Sequence, residues 1–136
     1  MKLLMIYCDR FYYKTSIKNL ESEESYTKEE EIKDALVAFI QAEEKDEGNI
    51  KKIETKLIKN IKWAAGKNGI KRVVLHSFAH LSESKAKPEI TKELLNNADI
   101  RLKNANYEIF QTPFGYFLDL KVDAPGKSLA RIFKEF

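Results

Sequence analysis

Apolar runs about as long as a β-strand recur along the first half of the chain. Residues 3–8 and 35–42 are almost entirely apolar, as is typical of strands buried on both faces of a sheet. Residues 72–77 are predicted to form another short buried strand around Val73, Val74 and Leu75. Asp9 and Arg10 interrupt the first run, and the aromatic segment that follows at 11–14 is predicted to be a second strand, hairpinned to the first. The strand at 35–42 is predicted to be central in the sheet.

The second half of the chain adds two weaker strand patterns. Residues 107–110 are predicted to form a brief strand. From residue 116 to residue 123 the chain alternates, with Leu118 and Leu120 on one face and Asp119 and Lys121 on the other. Such alternation predicts a strand with one exposed face. The polar, acidic residues 18–31 show no period, and we expect a surface excursion there.

Helical spacing of three and four begins after Asn49, a plausible N-cap. Gly66 and Gly69 are expected to end this helix. Pro88 suits the first turn of a second helix, and residues 128–136 are predicted to begin a third. The buried face of the first helix is predicted to carry Ile50, Ile53, Leu57, Ile61 and Ala64. That of the second is predicted to carry Ile90, Leu94, Ala98 and Leu102.

The predicted order is three strands, a helix, a strand, a helix, two strands and a helix. Strands joined by helical crossovers indicate an α/β fold with a mixed β-sheet and helices packed on it. The length of 136 residues suits a single domain. An abrupt end, soon after the predicted start of a helix, fits a domain excised from a longer polypeptide.

Composition narrows the function classes only slightly. The net charge of +3 permits an RNA partner without arguing for one, and the lysines of the first helix fit either a solvated face or an RNA-binding stripe. The single cysteine, Cys8, allows no intrachain disulfide and lies in an apolar run, as expected for a buried thiol in a reducing compartment. Because the sequence shows neither a signal peptide nor a membrane-spanning stretch, the chain is predicted to be cytoplasmic.

Two short segments carry candidate chemistry. His80 follows the end of a predicted buried strand, where ligands bind in open sheets, although a hydrogen-bonded loop histidine would fit the same pattern. His76 lies within that strand and is expected to be structural. Residues 112–116, Thr-Pro-Phe-Gly-Tyr, would let the backbone approach a ligand or would form an ordinary turn. One cysteine and two histidines are too few for a zinc site on their own.

Taken together, these segments resemble a known family. Phe-Ala-His-Leu-Ser at 78–82, Ala-Lys-Pro at 86–88 and Pro-Phe-Gly-Tyr at 113–116 are similar, in order and spacing, to the N-terminal editing domain of archaeal threonyl-tRNA synthetases. The strand ending in Cys8 and Asp9, the strand at 36–40 and the basic residue Lys121 are also similar. The resemblance spans nearly the whole chain, so residues 1–136 are expected to form one editing domain of a longer synthetase.

The resemblance implies a fold shared with D-aminoacyl-tRNA deacylases, and a homodimer. It implies that the domain hydrolyses the ester joining serine to the 3′ end of threonine tRNA, and that its other partner is the remainder of the synthetase. ATP and zinc would belong to the separate catalytic domain, so no cofactor or metal is expected here. The alternatives are a D-aminoacyl-tRNA deacylase of the same fold and a noncatalytic RNA-binding or dimerisation module.

By the same resemblance, His80, Gly115 and Tyr116 are expected to act in catalysis, with His80 positioning the substrate and checking its side chain. The substrate pocket is expected to be lined by Ala42, Phe78, Ala79, His80, Phe114, Gly115, Tyr116 and Phe117. Serine is threonine without one methyl group, and a contact with a methyl discriminates by only about 1–3 kcal/mol. A second site that hydrolyses the serine ester and rejects threonine would therefore supply the missing accuracy.

The chain departs from the family pattern at two positions. The pattern has a lysine where this chain has Leu118, and a glutamate in the last helix near Arg131. Lys121 lies on the other face of its strand and is a poor substitute. We therefore expect backbone N–H groups at 79–80 and 115–117 to stabilise the oxyanion. A tRNA 2′-hydroxyl would hold the water, and no covalent intermediate would form.

Overall fold

The computed structural model describes all 136 residues and is built on one long β-hairpin. Strand β1 runs over Lys2–Lys18 and strand β2 over Glu29–Gln41, paired antiparallel from Lys2 opposite Gln41 to Lys14 opposite Glu29. The predicted hairpin between residues 3–8 and 11–14 is therefore wrong. Arg10 is exposed but stays extended, because it continues the pairing with β2 opposite Lys33.

Four further strands complete a mixed sheet. They are β3 (Arg72–Ser77), β4 (Glu108–Gln111), β5 (Tyr116–Asp123) and β6 (Arg131–Glu135). The sheet order is β4-β3-β2-β1-β5, and β6 also pairs with β1. Strands β2, β3 and β4 run parallel to each other, whereas β1 is antiparallel to β2, β5 and β6. The central place predicted for the strand at 35–42 is confirmed.

The two helices lie where the spacing of apolar residues predicts them. Helix α1 spans Ile50–Lys67 and helix α2 spans Pro88–Asn104 with proline in its first turn. Gly69, just beyond α1, has a φ of +65°, the left-handed conformation that ends helices. Asn49 occupies the N-cap position of α1 but makes no capping hydrogen bond, because the chain enters α1 directly from a 3₁₀ turn.

The predicted third helix is wrong. Only Ser128–Ala130 forms a single 3₁₀ turn, and the chain then continues as β6. Strand β5 covers β1 from Arg10 onward, which leaves residues 2–6 of β1 without a partner on that edge; β6 pairs with this part. Sheet pairing and the burial of Ile132 override the local helical preference.

Apolar residues fill both faces of the sheet. The larger core lies between the sheet and the two helices and includes Leu36, Leu57 and Leu94. The smaller core lies on the opposite face of the sheet, which no helix covers, and includes Phe11, Val37 and Phe39. We call this the helix-free face. Cys8 is fully buried, as predicted, and burial raises the pKa of its thiol to about 12. Neither helix is long and apolar enough to span a membrane.

Candidate active site

A cavity of about 370 Å³ lies at the carboxyl ends of β2 and β3. This volume is in the range of small-molecule sites. Sequence reasoning placed eight residues in one pocket, and the structure brings all eight to the wall of this cavity: Ala42, Phe78, Ala79, His80, Phe114, Gly115, Tyr116 and Phe117. They come from three separate segments: the end of β2, the loop after β3, and the turn before β5 with the first two residues of that strand. Their roles in catalysis stay predictions.

His80 lies in the loop that connects β3 to α2. This loop, residues 78–87, has no regular secondary structure, and His80 is exposed within it. The His80 ring meets the Phe78 ring edge to face, with 4.9 Å between centroids. The loop is anchored at its start, where the Phe78 N–H donates to the Ile40 carbonyl of β2. His80 is therefore an accessible imidazole at the cavity wall, on a loop that its neighbours hold in place.

His76 is a buried histidine, as predicted for a strand residue. Its Nδ1 lies 2.8 Å from the Thr112 hydroxyl, and its ring packs among Phe11, Phe39 and Phe78. Burial, with a smaller contribution from His80, lowers the pKa of His76 to about 4. At neutral pH His76 is thus uncharged at the inner wall of the cavity and has little affinity for a proton.

The turn before β5 touches a segment that carries no functional signal in the sequence. Residues 19–28 connect β1 to β2, and we name this segment the strap; Asn19 and Leu20 contribute to the cavity wall. Gly115 has a φ of +83°, and a Cβ added there would lie 2.7 Å from Glu23 Cγ. The Asn19 N–H donates to the Gly115 carbonyl. Gly115 is therefore needed so that the strap can pass close to this turn.

Tyr116 and α2 hold the other end of the strap. The Tyr116 hydroxyl donates to the Glu24 carbonyl and accepts from the Tyr26 N–H, and the two tyrosine rings are in contact. Lys92 of α2 forms an ion pair with Glu23 at 2.8 Å. The surface excursion predicted at 18–31 is thus shorter than expected, because Lys18 belongs to β1 and residues 29–31 to β2, and residues 19–28 form an anchored part of the site.

The two departures from the family pattern, Leu118 and Arg131, lie far apart in the folded structure. Leu118 lines the cavity and pairs with Thr15, whereas Arg131 pairs with Ile6. Nine residues of β1 separate the two pairing positions, roughly 30 Å along a strand. Side chains at these two positions are therefore too far apart to form a pair within one protomer. Lys121 lies over the Tyr12 ring and does not line the cavity.

The charge of the cavity wall limits the chemistry available to side chains. The lining includes no aspartate or glutamate, and its basic side chains are His76, His80 and Lys85. Leu118 and Leu120 make part of the wall apolar. An ester could be held here against main chain and aromatic rings, but no carboxylate of the wall could activate water.

A family model for the archaea-specific editing domain of threonyl-tRNA synthetase matches residues 1–136. The chain belongs to this family. Threonine–tRNA ligases from Thermococcus kodakarensis and Methanopyrus kandleri are 31% and 32% identical to it over 135 and 133 residues. Each alignment covers 97% of this chain but only 22% and 21% of the relative. The editing domain thus spans about a fifth of the length of the curated relatives it matches.

The fold is also found in a solved structure of low sequence similarity. The c-Myc DNA Unwinding Element Binding Protein superposes on the editing domain with a TM-score of 0.66 and 12% identity, over 100% of this chain and 99% of that chain. This likeness concerns the fold alone. The α/β class, with a mixed sheet, packed helices and D-aminoacyl-tRNA deacylase-like architecture, is confirmed.

Proposed function

We propose that the editing domain hydrolyses the ester of L-seryl-tRNA(Thr), releasing serine and free tRNA. The observation that carries the proposal is the cavity at the ends of β2 and β3, where the three segments that resemble the family's pocket converge. Membership of the editing-domain family supports it. The cavity volume suits one amino acid and part of a nucleoside.

The proposed reaction is a direct attack of water on the ester carbonyl. The water oxygen bonds to the carbonyl carbon, and the bond from that carbon to the ribose oxygen then breaks. The ribose oxygen takes up a proton. Backbone N–H groups at 79–80 and 115–117 stabilise the oxyanion, and the neighbouring ribose hydroxyl holds the water. The absence of carboxylates from the cavity wall supports this mechanism over general-base catalysis by an aspartate or glutamate.

Selectivity for serine is assigned to the wall of the cavity. Ala42 is buried at the end of β2 and lines the cavity. His80 supplies the polar group that positions the amino acid. A tight wall rejects the extra methyl of threonine by steric overlap, and small residues leave space for the water. Rejection of threonine by this cavity then complements the discrimination against serine at a separate aminoacylation site.

The proposal also includes the partners of the domain and its location in the cell. The domain is proposed to work in the cytoplasm on the 3′ end of the tRNA, together with the remainder of a synthetase and without ATP or zinc of its own. A homodimer is proposed to form through the helix-free face of the sheet. Leu4 is half-buried there, and Phe133, directly opposite it on β6, is 51% exposed. Burial of this apolar surface in a second copy would stabilise the dimer.

Hydrolysis of three esters, assayed side by side, tests the proposed activity. The domain is expected to deacylate L-seryl-tRNA(Thr) and to leave L-threonyl-tRNA(Thr) largely intact. Preference for D-aminoacyl esters would instead identify a D-aminoacyl-tRNA deacylase. If saturating L-seryl substrate is not hydrolysed above the buffer rate, the domain is a noncatalytic module. Addition of the zinc chelator 1,10-phenanthroline is expected to leave the rate unchanged.

A substrate lacking one hydroxyl tests the proposed mechanism separately. Seryl-tRNA whose terminal ribose is 2′-deoxy keeps the 3′ ester and removes the group assigned to the water. We expect turnover to fall by about 100-fold or more, in the range typical of a lost proton-transfer partner. Binding, measured by competition with the all-ribose substrate, should change little. Undiminished turnover would rule out substrate assistance.

A further inference from the structure

Gln41 is a polar residue at a position where the strand pattern calls for an apolar one. It is the last residue of β2 and only 3% exposed. Val37 and Phe39, which precede it on the same face of β2, both belong to the smaller apolar core. A buried amide is unfavourable unless its hydrogen bonds are made, so the partners of Gln41 show what keeps it there.

All four partners of the Gln41 amide are backbone groups of the loop that carries His80. Its Oε1 accepts from the Leu81 N–H at 2.6 Å and from the Ser82 N–H at 2.8 Å. Its Nε2 donates to the Ser82 carbonyl at 2.7 Å and to the Ser84 carbonyl at 2.9 Å. The two acceptor and two donor sites of a primary amide are thereby filled. The Gln41 side chain thus supplies this loop with backbone hydrogen bonds of the kind that a neighbouring strand would otherwise make.

His80 lies between two attachments of this loop to the same strand end. Two residues before it, the Phe78 N–H donates to the Ile40 carbonyl at 3.0 Å. Immediately after it, the Leu81 N–H is bound by Gln41. Only Ala79 and His80 span the interval, so the loop's path at His80 depends on the attachment that the Gln41 side chain provides.

The outer part of the loop has its own contacts. The Ser82 hydroxyl donates to Glu43 at 2.8 Å, and the Ala86 N–H donates to the Ala42 carbonyl at 2.9 Å. Burial alone would raise the pKa of Glu43, but hydrogen bonds from the Met1 amine and Ser82 outweigh it and lower the pKa to about 2. Glu43 is therefore a carboxylate at neutral pH. These contacts attach residues 82–86, whereas the hydrogen bond nearest to His80 on its C-terminal side is that of the Leu81 N–H to Gln41.

We propose that Gln41 is the positioning residue of the site, which sets the place of His80 at the cavity wall by binding the two N–H groups that follow it. The proposal rests on the proposed hydrolysis of seryl-tRNA only for its kinetic test. Gln41 is expected to act partly through the His80 imidazole and partly through the N–H groups of 79–80 that are assigned to the oxyanion. Removing the imidazole should therefore reduce the effect of Gln41 on turnover, whereas a general structural effect would persist undiminished.

The kinetic test is a double-mutant cycle with Gln41→Leu and His80→Ala on the whole chain. Leucine keeps much of the volume of glutamine and removes all four hydrogen bonds. We expect Gln41→Leu to lower kcat for L-seryl-tRNA(Thr) by about 10- to 100-fold, and by a several-fold smaller factor in the His80→Ala background. An equal factor in both backgrounds, or no effect in either, would overturn the proposal.

A spectroscopic test is independent of any activity. The edge-to-face contact between His80 and Phe78 places the imidazole protons in the ring current of Phe78. Gln41→Leu is expected to shift the His80 Cε1–H and Cδ2–H resonances. Gln111→Leu is the matched control, because the Gln111 amide bonds Asn96 and Asp99 of α2 and not this loop. Unmoved His80 resonances in Gln41→Leu, or equal shifts in the control, would refute positioning.

The two tests separate the failure of the two proposals. If the unmodified domain does not hydrolyse seryl-tRNA, the proposed function fails and the His80 resonances alone decide the role of Gln41. If Gln41→Leu does not fold, as shown by circular dichroism, Gln41→Met replaces it in both tests. Methionine also removes the acceptor for the Leu81 and Ser82 N–H groups and matches the unbranched shape of glutamine, so the same shifts are expected. Their absence would overturn the proposal.

Discussion

Gly115 shows how a single residue joins two parts of the site. Its positive φ is a conformation that other residues adopt at a cost of roughly 1–2 kcal/mol. The glycine also leaves the space into which Leu20 and Glu23 of the strap fit. From the sequence, this turn is predicted either to let the backbone approach a ligand or to be an ordinary turn. The sequence could not show that the strap is one neighbour, because that contact spans about 90 residues of chain.

Gly115→Ala is expected to reduce both stability and activity. The new Cβ would have to displace the strap, which contributes to the cavity wall, so kcat/KM for the seryl ester should fall by about 10-fold or more. Gly69→Ala is the matched control: Gly69 also has a positive φ, but nothing lies within 4 Å of an added Cβ. It should lose stability alone. Equal activity of the two variants would contradict the role given to the strap.

His76 is expected to make stability depend on pH. Its pKa is lowered to about 4 in the folded state from an ordinary value of 6.5, so the unfolded chain binds more protons between these values. The stabilisation is complete above pH 6.5. It is lost as pH falls towards 4, by up to about 1.4 kcal/mol per pH unit.

Urea unfolding at pH 7, 5.5 and 4.5 checks this prediction against a His76→Asn variant. Other groups titrate in both proteins, so the quantity of interest is the difference between the two free energies of unfolding. This difference should shrink as pH falls, because the variant lacks the group that must be protonated. A difference that does not vary with pH would show that His76 has an ordinary pKa in the folded protein.

At the scale of elements, the strap depends on Tyr116 for its attachment. Tyr116→Phe removes the hydroxyl that bonds Glu24 and Tyr26 while keeping the ring contact. Limited proteolysis should then cleave within residues 19–28 several-fold faster, because losing about 1 kcal/mol shifts the opening equilibrium by about fivefold. Tyr107→Phe, whose hydroxyl makes no hydrogen bond within the chain, is the control. Equal cleavage rates in both variants would show that the Tyr116 hydroxyl does not hold the strap.

Elements with a strong local pattern could be predicted, and those defined by distant pairing could not. The spacing of Leu57 and Leu94 with their neighbours locates both helices, and the apolar run at 35–42 locates the central strand. Strand β6 is different. Its short sequence is compatible with a helix, and only the free edge of β1, about 130 residues earlier, makes it a strand. The two-segment β1 was mispredicted because Asp9 and Arg10 resemble a turn.

The residues of the site divide in the same way, into those that lie in a recognisable motif and those defined by distant contacts. The family motifs brought eight residues to one cavity, because each motif lies at a strand end and the topology gathers those ends. Gln41 and the strap were not identified. Gln41 occurs inside an apolar run and has no partner nearby in sequence, whereas the strap shows neither a period nor a motif. The presence of a buried glutamine in that run was the signal available.

At the scale of the molecule, the helix-free face of the sheet carries the proposed dimer. Phe133→Glu would place a charge opposite Leu4 on this face, at a cost of several kcal/mol if the face were buried in a dimer. Sedimentation equilibrium is expected to show a dimer for the unmodified chain and a monomer for the variant. Ile100→Glu, at a 58% exposed position on α2, should leave the dimer intact. A monomeric unmodified chain would contradict the proposal.

The cavity is proposed to remove serine from threonine tRNA and to spare threonine. The most direct measurement is single-turnover deacylation of L-seryl-tRNA(Thr) and L-threonyl-tRNA(Thr) by the purified domain, at enzyme concentrations that saturate both substrates. We predict that the seryl ester is hydrolysed at least about 100-fold faster than the threonyl ester, within the range that one methyl group can provide. Equal rates for the two esters, or no hydrolysis of either above the buffer rate, would contradict the account.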